Sequence, residues 1–185
     1  AGGVIDGEGR ATYPNGLVYE GSFENARNDG YGVMTYDDGY RYEGEWQDGQ
    51  RHGQGRATYP DGTVYEGDFV AGEREGQGTI TMADGFTYTG GWKAGEITGE
   101  GIATYANGDV YEGDFANDMR NGQGRFTGAD GYVYAGSWVD GKIEGTGRVT
   151  YPDGSVYEGE FRDDLANGIG KITYPDGATY EGQWK

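Results

Sequence analysis

Regularly spaced glutamates are the residues in this chain that most readily suggest chemistry. All of them lie in Tyr-Glu-Gly sequences, at Glu20, Glu43, Glu66, Glu112, Glu158 and Glu181. Paired carboxylic acids carry out glycoside hydrolysis, but the general acid needs a desolvated setting that raises its pKa. These glutamates recur as equivalents, whereas an active site is a unique arrangement of residues. We therefore expect no enzyme, with a hydrolase or carbohydrate-binding surface as an alternative.

Three further patterns of reactive or binding residues are weak. His52 lies in the polar stretch GQRHGQG, without a cysteine or second histidine to complete a metal site or a nucleophilic triad. Sequences such as Gly7-Glu8-Gly9 lack the lysine and the following helix of a phosphate-binding loop. The acidic links NDMRN and RDDLAN offer oxygen ligands, but their spacing matches neither known calcium-binding repeat. We expect no cofactor, and calcium binding by the links remains an open alternative.

The composition limits both the core and the partner. Of 185 residues, 40 are glycine, 17 are tyrosine and only 34% are hydrophobic, so aromatic rings must supply the buried surface. The formal net charge of −18 argues against nucleic acid, and makes direct binding to anionic membranes unfavourable, because both need clustered Lys and Arg. A basic protein is the better electrostatic match.

No targeting or membrane segment is recognisable in the sequence. No apolar run approaches the ~20 residues of a membrane span. The first residues, AGGVIDGEG, show no signal-peptide pattern. These observations favour a cytoplasmic location, with an exported fragment as the alternative.

A repeat of 23 residues organises the chain, with the pattern G-x-G-x-x-T-Y-x-[ND]-G-x-x-Y-x-G-x-[FW]. The turn glycines of its eight copies are Gly16, Gly39, Gly62, Gly85, Gly108, Gly131, Gly154 and Gly177. Phe and Trp alternate at the last position, so the deeper period is 46 residues. A fixed period in this range is typical of a solenoid or array. We expect residues 1–185 to form a single repeat array.

Turn residues predict that each copy is a β-hairpin. In YPDG, proline and glycine occupy the second and fourth positions of a type I turn, and YANGD uses Asn-Gly to similar effect. Consecutive hairpins joined by short glycine-containing links give an all-β fold. We predict an elongated, single-layer antiparallel meander of eight stacked hairpins, stabilised by contacts between neighbours.

A three-residue loop at residues 60–62 fixes the cross-strand register. Arg56 then faces Glu66, and Ala57 faces Tyr65. The same register pairs Arg10 with Glu20, Arg148 with Glu158 and Lys171 with Glu181. Alternation along the strands places the rings and glycines on one face and the charged side chains on the other.

Paired glycines on the ring face predict close packing. Gly55 and Gly67 leave bare backbone at facing positions. Glycine weakens a strand, so its regular use indicates the close approach of another group. We expect that group to be a tyrosine or tryptophan of an adjacent repeat.

The sequences YEGEW at 42–46, YEGDF at 65–69 and 111–115, and GQGRATYPDG at 53–62 resemble those of the MORN (membrane occupation and recognition nexus) repeat family. The resemblance covers residues 7–185, with local departures at YTG 88–90, YAG 134–136, Met82 and Gly128. It implies a twisted antiparallel sheet of hairpins with a groove-like face that serves as an interaction scaffold. Members of the family have been linked to dimerisation, protein binding and phospholipids.

An aromatic groove is the predicted site of function. We expect protein partners, including a peptide or helix lying along the groove, with a membrane-peripheral phospholipid-recognition module as the alternative. The candidate groove residues are Tyr42, Trp46, Tyr65, Phe69, Tyr88, Trp92, Tyr111, Phe115, Tyr134 and Trp138. Because no polar capping repeat flanks the array, we also expect either a segment of a longer protein or a homo-oligomer formed by end-to-end association.

Overall fold

A computed structural model describes residues 3–185. Within those residues the fold is all-β, with sixteen strands and no helix. Backbone contacts divide the chain into two compact units, Ala1–Glu96 and Ile97–Lys185. In each unit, strands adjacent in sequence are antiparallel neighbours in the sheet. The predicted antiparallel meander of hairpins is therefore confirmed.

Strand lengths repeat with the sequence. The first unit contains β1 (Gly7–Thr12), β2 (Val18–Glu24), β3 (Arg27–Thr35), β4 (Arg41–Gln47), β5 (Gln50–Thr58), β6 (Val64–Val70), β7 (Glu73–Thr81) and β8 (Thr87–Lys93). The second contains β9 (Glu96–Thr104), whose first residue belongs to the first unit, β10 (Val110–Ala116), β11 (Met119–Thr127), β12 (Val133–Val139), β13 (Lys142–Thr150), β14 (Val156–Arg162), β15 (Leu165–Thr173) and β16 (Thr179–Trp184). Strands of 7 residues such as β6 pair with the following strands of 9 residues such as β7, and a bulge between Gly67 and Phe69 accommodates the difference.

The predicted register is confirmed. Arg56 lies opposite Glu66 and Ala57 opposite Tyr65. The other three predicted charge pairs also face each other across their hairpins: Arg10 and Glu20, Arg148 and Glu158, Lys171 and Glu181. The Arg56 Nε to Glu66 Oε1 distance is 3.0 Å, but an exposed ion pair contributes at most ~1 kcal/mol. Such pairs help to specify the register more than they stabilise the sheet.

Each hairpin turn uses the glycine and the Asp or Asn of its repeat. The N–H of Gly62 donates to the Tyr59 carbonyl at 2.9 Å, and Gly62 has a φ of +87°. The Asp61 carboxylate accepts the Thr63 N–H at 2.8 Å. Equivalent bonds to the turn glycine recur in the other hairpins, with the glycines Gly16, Gly39, Gly85, Gly108, Gly131, Gly154 and Gly177 as donors. The predicted type I turn followed by a left-handed glycine is confirmed.

The links between hairpins are tight turns with two left-handed residues. In the link at Asp48 and Gly49, the φ angles are +50° and +82°, as a two-residue turn between twisted strands requires. Several links achieve the same geometry without glycine, at Asn25, Ala26, Asn117, Asp118, Asp163 and Asp164. Left-handed backbone is least unfavourable for Asn and Asp, which explains their frequency there.

The two glycines of each G-x-G motif have different roles. Gly53 lies in the bulge between β4 and β5 and has a φ of +62°. Gly55 lies under the Tyr42 ring, and a Cβ placed on it would be 2.3 Å from the tyrosine oxygen. The predicted packing of an adjacent repeat's ring on the glycine strip is therefore confirmed. The same packing joins Tyr19 to Gly32, Tyr65 to Gly78, Tyr111 to Gly124, Tyr134 to Gly147 and Tyr157 to Gly170.

A ladder of rings forms the core. The Tyr42 hydroxyl donates to the Glu45 carbonyl at 2.9 Å. The Tyr42 ring makes edge-to-face contacts with Trp46 of its own hairpin and Phe69 of the next, both with centroids 5.1 Å apart. Such pairs are each worth about 0.5–1.5 kcal/mol beyond the area that they bury. The rings thus join neighbouring hairpins. A single hairpin could not bury its rings and would not be stable alone.

The alternation of Phe and Trp changes one hydrogen bond. The Trp46 indole donates to the Gly32 carbonyl at 3.2 Å. Equivalent bonds join Trp92 to Gly78, Trp138 to Gly124 and Trp184 to Gly170. Phenylalanine has no ring N–H, so the period of 46 residues in the sequence corresponds to a bond between the two strands of a hairpin that only alternate hairpins make.

Candidate functional site

The rings predicted to line a groove lie in the interior of the protein. Tyr42, Trp46, Tyr65, Phe69, Tyr88, Trp92, Tyr111, Phe115, Tyr134 and Trp138 are each at most 6% exposed. Alternation places them on the expected face, but packing between hairpins covers them, as Phe69 covers Tyr42. These rings are the core, and other side chains supply the surface available on this face. Partner contact through the ten rings stays a prediction.

Burial sets the protonation state of the core tyrosines. Desolvation raises the pKa of Tyr19, Tyr111 and Tyr134 to about 12. It also raises the pKa of Tyr42 and Tyr65, although a nearby arginine opposes the effect. These hydroxyls are therefore neutral hydrogen-bond donors at physiological pH.

A second set of rings lies nearer the hairpin turns and remains partly exposed. In the first unit we call Tyr13, Tyr36, Tyr40 and Tyr59 the turn-side row. Tyr13 and Tyr36 are each 40% exposed, and Tyr40 and Tyr59 are half-buried. Tyr40 contacts Tyr36 and Tyr59 edge-to-face, in each case with centroids 5.2 Å apart. The row passes from hairpin to hairpin across the strands.

Arg51 connects the turn-side row to the core. Its guanidinium donates through Nη1 to the Tyr40 hydroxyl and through Nη2 to the Gly72 carbonyl, the latter at 2.5 Å. The guanidinium carbon also lies 5.9 Å from the centroid of Tyr42 and 5.5 Å from that of Phe69. Such cation–π contacts are strongest where the cation is desolvated. Burial raises the pKa of Tyr40, and the Arg51 charge opposes that rise.

A shallow depression lies beside the turn-side row. It has a volume of about 260 Å³, and its lining includes Met34, Tyr36, Tyr40, Trp46 and Arg51. Small-molecule sites typically occupy about 300–1,000 Å³ and enclose their ligand. This depression therefore suits one inserted side chain or ring better than a complete small molecule.

The arginine position was not predicted from the sequence. Arg51 has equivalents at Arg74 and Arg120, whose guanidinium carbons lie 4.5 Å from the Trp92 centroid and 4.3 Å from the Trp138 centroid. The sequence does contain a sign of this position, because the three arginines occupy the same place in the 23-residue repeat. Ile97 and Ile143 occupy it in two other hairpins, where they are buried. The position is therefore a packing site that either a stacked guanidinium or an aliphatic side chain can fill.

The second unit has a different turn-side surface. Tyr132 contacts Tyr151 and Phe126, with centroid distances of 6.0 Å and 6.3 Å. Gly128 replaces the usual tyrosine, and a depression of about 300 Å³ lies there. The turn itself is retained, because the Gly128 N–H donates to the Tyr132 carbonyl at 2.7 Å and Gly131 donates to Gly128. The substitution changes the surface without changing the hairpin.

The glutamates lie on the opposite face, in a solvated setting. The side chains of Glu20, Glu66 and Glu158 are 61%, 62% and 63% exposed, each in an ion pair with an arginine. Glu43 also accepts hydrogen bonds from Arg41 and Tyr31, which lower the pKa of its carboxyl. For Glu43 this shift is opposite in direction to the raised pKa that a general acid needs.

The acidic links bond to the backbone of neighbouring links. The Asp118 carboxylate accepts the Ile97 N–H at 2.8 Å, and Asp164 accepts the Ile143 N–H at 2.7 Å. Across residues 3–185, no group of three or more acidic or histidine side chains is arranged to hold a metal ion. No helix in the same range is long and apolar enough to cross a membrane.

This geometry defines a protein built from tandem β-hairpin repeats that pack through aromatic rings. The chain belongs to the MORN repeat family. The family model matches residues 1–18, 19–39, 42–64, 65–87, 88–110, 111–131, 134–156 and 157–179. The resemblance identified in the sequence is therefore confirmed.

Two solved structures have a similar fold. A single-residue mutant of the TCP10 domain of Danio rerio CPAP is 16% identical, with a TM-score of 0.53, over 95% of this chain and 82% of that one. The TCP domain of Drosophila melanogaster SAS-4, solved with a proline-rich motif of Ana2, is 14% identical, with a TM-score of 0.52, over 96% of this chain and 90% of that one. At these identities the likeness concerns the fold alone. A search of curated proteins finds no match.

Proposed function

We propose that the chain is a non-enzymatic repeat scaffold that binds protein partners through its partly exposed aromatic surface. The observation that carries the proposal is the turn-side row, where the exposed ring of Tyr36 contacts the half-buried ring of Tyr40, which in turn contacts Tyr59. Tyrosine is a favourable interface anchor because its large ring loses little conformational freedom and its hydroxyl can still bond.

The rigidity of the row supports this role. Tyr40 is held by Arg51 and by edge-to-face contacts with Tyr36 and Tyr59. A surface that is ordered before binding loses less entropy when a partner docks. The core rings serve the function indirectly, because they fix the spacing of the hairpins that carry the row.

The comparisons support a protein or peptide partner. MORN membership is consistent with a repeat scaffold, since stacked repeats provide extended binding surfaces. The Drosophila SAS-4 domain, which has a similar fold, was solved in complex with a proline-rich motif of Ana2. We infer that the sheet of the present chain is used in a comparable way.

Charge favours a basic partner. The net charge of −18 opposes contact with phosphate groups of nucleic acids or anionic lipids. The repeated glutamates favour a binding role over catalysis, since Glu20, Glu66 and Glu158 are exposed and ion-paired with arginines on a solvated face.

Selection from a random-peptide display library tests the proposal. Peptides enriched on the protein are measured by calorimetry against the wild type and a Tyr36→Ser, Tyr59→Ser double variant. We expect the double variant to bind about tenfold more weakly or worse, since it loses two anchors.

Tyr31 provides the matched control. It is 56% exposed, lies on the opposite face and donates to Glu43 at 2.9 Å. Tyr31→Ser should leave peptide affinity unchanged. The proposal is wrong if the double variant binds normally, if Tyr31→Ser has the larger effect, or if phosphatidylserine vesicles or a glycan array capture the protein while peptides do not.

A further inference from the structure

We propose that the turn-side row binds a proline-rich segment in the polyproline II conformation. The segment would cross the hairpins, place a proline at every third residue against the equivalent tyrosines of successive hairpins, such as Tyr36 and Tyr59, and carry Lys or Arg beside the prolines. This inference rests on the proposed function and specifies the partner of the same surface. It is carried by the spacing of the rings, their hydrogen-bonding groups and the charge at the adjacent turns.

The spacing of the row matches this conformation. Strands lie about 4.8 Å apart, so successive hairpins repeat every ~9.6 Å. The steps from Tyr36 to Tyr40 and from Tyr40 to Tyr59 are 5.2 Å each, so Tyr36 and Tyr59 are no further apart than about twice that distance. A polyproline II helix has three residues per turn and rises ~9.3 Å in one turn. One turn of ligand therefore corresponds to one hairpin of the protein.

The row also supplies the groups that such a ligand needs. Polyproline II has no internal hydrogen bonds, so its backbone carbonyls need donors. The Tyr40 oxygen accepts a hydrogen bond from Arg51, which leaves the Tyr40 proton for another acceptor. Aromatic-lined grooves are the usual receptors for proline-rich segments. The depression of about 260 Å³ between Tyr36 and Arg51 can receive one proline ring or neighbouring side chain.

A helical partner fits less well. Two turns of an α-helix advance ~10.5 Å in seven residues, so its contacts would move out of phase with the hairpins. Its interior carbonyls are already bonded within the helix and cannot accept from the tyrosine hydroxyls. The hydroxyls along the row favour an extended ligand.

Acidic side chains at the turns give the charge preference. Asp38 and Asp61 are exposed next to the row, and each uses Oδ1 to accept a backbone N–H two residues on, from Tyr40 and Thr63. These bonds hold both carboxylates at fixed positions. A Lys or Arg between the prolines can pair with them, in agreement with the net charge of −18.

Synthetic peptides of proline-rich sequence test the inference on the full chain. The test peptide has about four prolines at every third position, with Lys or Arg between them. Four control peptides have the same length. Two place the prolines at every second or every fourth position, one has Glu in place of the basic residues, and one is helical with apolar residues seven apart. Affinity is measured by calorimetry and by the change in intrinsic fluorescence, at about 0.1 M salt.

We expect the test peptide to bind at least about tenfold more tightly than every control peptide. Tyr36→Ser should weaken binding to a similar extent, and Tyr31→Ser on the opposite face should not. The comparison among peptides uses the unmodified protein, so it remains decisive even if a variant is unstable. Equal binding of the altered spacings, tighter binding of the helical peptide, or no binding of the test peptide overturns the inference.

The display selection separates this result from the proposed function. If selected peptides without the three-residue proline period bind through Tyr36 and Tyr59, the scaffold function holds and the polyproline inference is wrong. If no peptide of any class depends on the row, both are wrong.

Discussion

Gly55 provides the most direct test of ring packing at the scale of a residue. A Cβ at this position would lie 2.3 Å from the Tyr42 oxygen and 2.5 Å from a ring carbon. We expect Gly55→Ala to lower the free energy of unfolding by about 3 kcal/mol, because the core is already closely packed there. Urea denaturation followed by circular dichroism measures the change.

Gly9 is the matched control for Gly55. It occupies the same position of the repeat, but an added Cβ would come no closer than 3.3 Å to Phe23. Gly9→Ala should change stability by less than about 1 kcal/mol, since a lower entropy of the unfolded chain offsets a small displacement. Equal losses for both variants would show that glycine is needed for the backbone and not for the ring.

The core tyrosines make stability depend on alkaline pH. Burial raises the pKa of Tyr111 and Tyr134 to about 12, from 10.0 in an unfolded chain. The folded state therefore favours the neutral phenol, and its contribution to stability is complete below pH ~10 and is lost as pH rises towards 12. We expect the free energy of unfolding to fall over this interval, with phenolate absorbance appearing as the sheet signal disappears.

A Tyr111→Phe variant separates this effect from other alkaline titrations. It removes one titrating hydroxyl and its 2.8 Å bond to the Asp114 carbonyl. We expect about 1 kcal/mol lower stability at neutral pH but a shallower decline above pH ~10. An unchanged slope would mean that Tyr111 does not contribute to the alkaline transition.

At the scale of the element, the links between hairpins test the cost of left-handed backbone. Ala26 and Gly49 occupy equivalent link positions, with φ angles of +64° and +82°. An added Cβ at Gly49 meets nothing within 4 Å, so the comparison is conformational. We expect Ala26→Gly to raise the free energy of unfolding by about 0.5 kcal/mol and Gly49→Ala to lower it by about 1 kcal/mol.

An alanine in ordinary strand conformation controls for glycine itself. Ala135 is exposed within β12. Ala135→Gly should lower stability by about 0.5–1 kcal/mol, opposite in sign to Ala26→Gly. Thermal and urea denaturation of the three variants decide the matter, and a destabilising Ala26→Gly would exclude backbone strain at the links.

Hairpins and register could be predicted because their determinants are local. The turn residues Asp61 and Gly62 specify a loop of three residues, and the facing pair Arg56 and Glu66 then follows from counting. The links were harder, because Asp163 and Asp164 adopt left-handed angles without glycine to indicate it. The bulges were not predicted, because the two glycines of a G-x-G motif cannot be told apart in the sequence. One is needed for the backbone conformation of the bulge, and the other makes room for a tyrosine ring.

The depth of burial could not be predicted from alternation. Tyr42 and Tyr59 lie on the same face of the sheet, yet Tyr42 is fully buried and Tyr59 is half-buried. The difference arises from rings contributed by the next hairpin, as Phe69 covers Tyr42. Alternation gives the face of a side chain, whereas packing between repeats decides its exposure. The candidate surface, the turn-side row, consequently lies nearer the hairpin turns than the ten rings that the sequence predicted.

At the scale of the whole molecule, charge opposes folding. The net charge is −18, and the six ion pairs found within residues 3–185 all have side chains at least one-third exposed to solvent. Salt weakens those pairs, each worth at most ~1 kcal/mol, but it also screens the repulsion of the excess acids. Because the acids are in excess, we expect screening of the repulsion to be the larger effect.

Raising NaCl from about 0.01 to 0.15 M should therefore stabilise the protein by about 1 kcal/mol, which corresponds to about 2–4 °C in Tm. Choline chloride at the same ionic strength should give the same increase, since screening does not depend on the identity of the cation. A fall in Tm would show that the ion pairs outweigh the repulsion. A different outcome is that calcium raises Tm more than sodium does at matched ionic strength, with heat released or absorbed on binding in calorimetry. That result would demonstrate a specific calcium site in the acidic links and contradict screening as the sole cause.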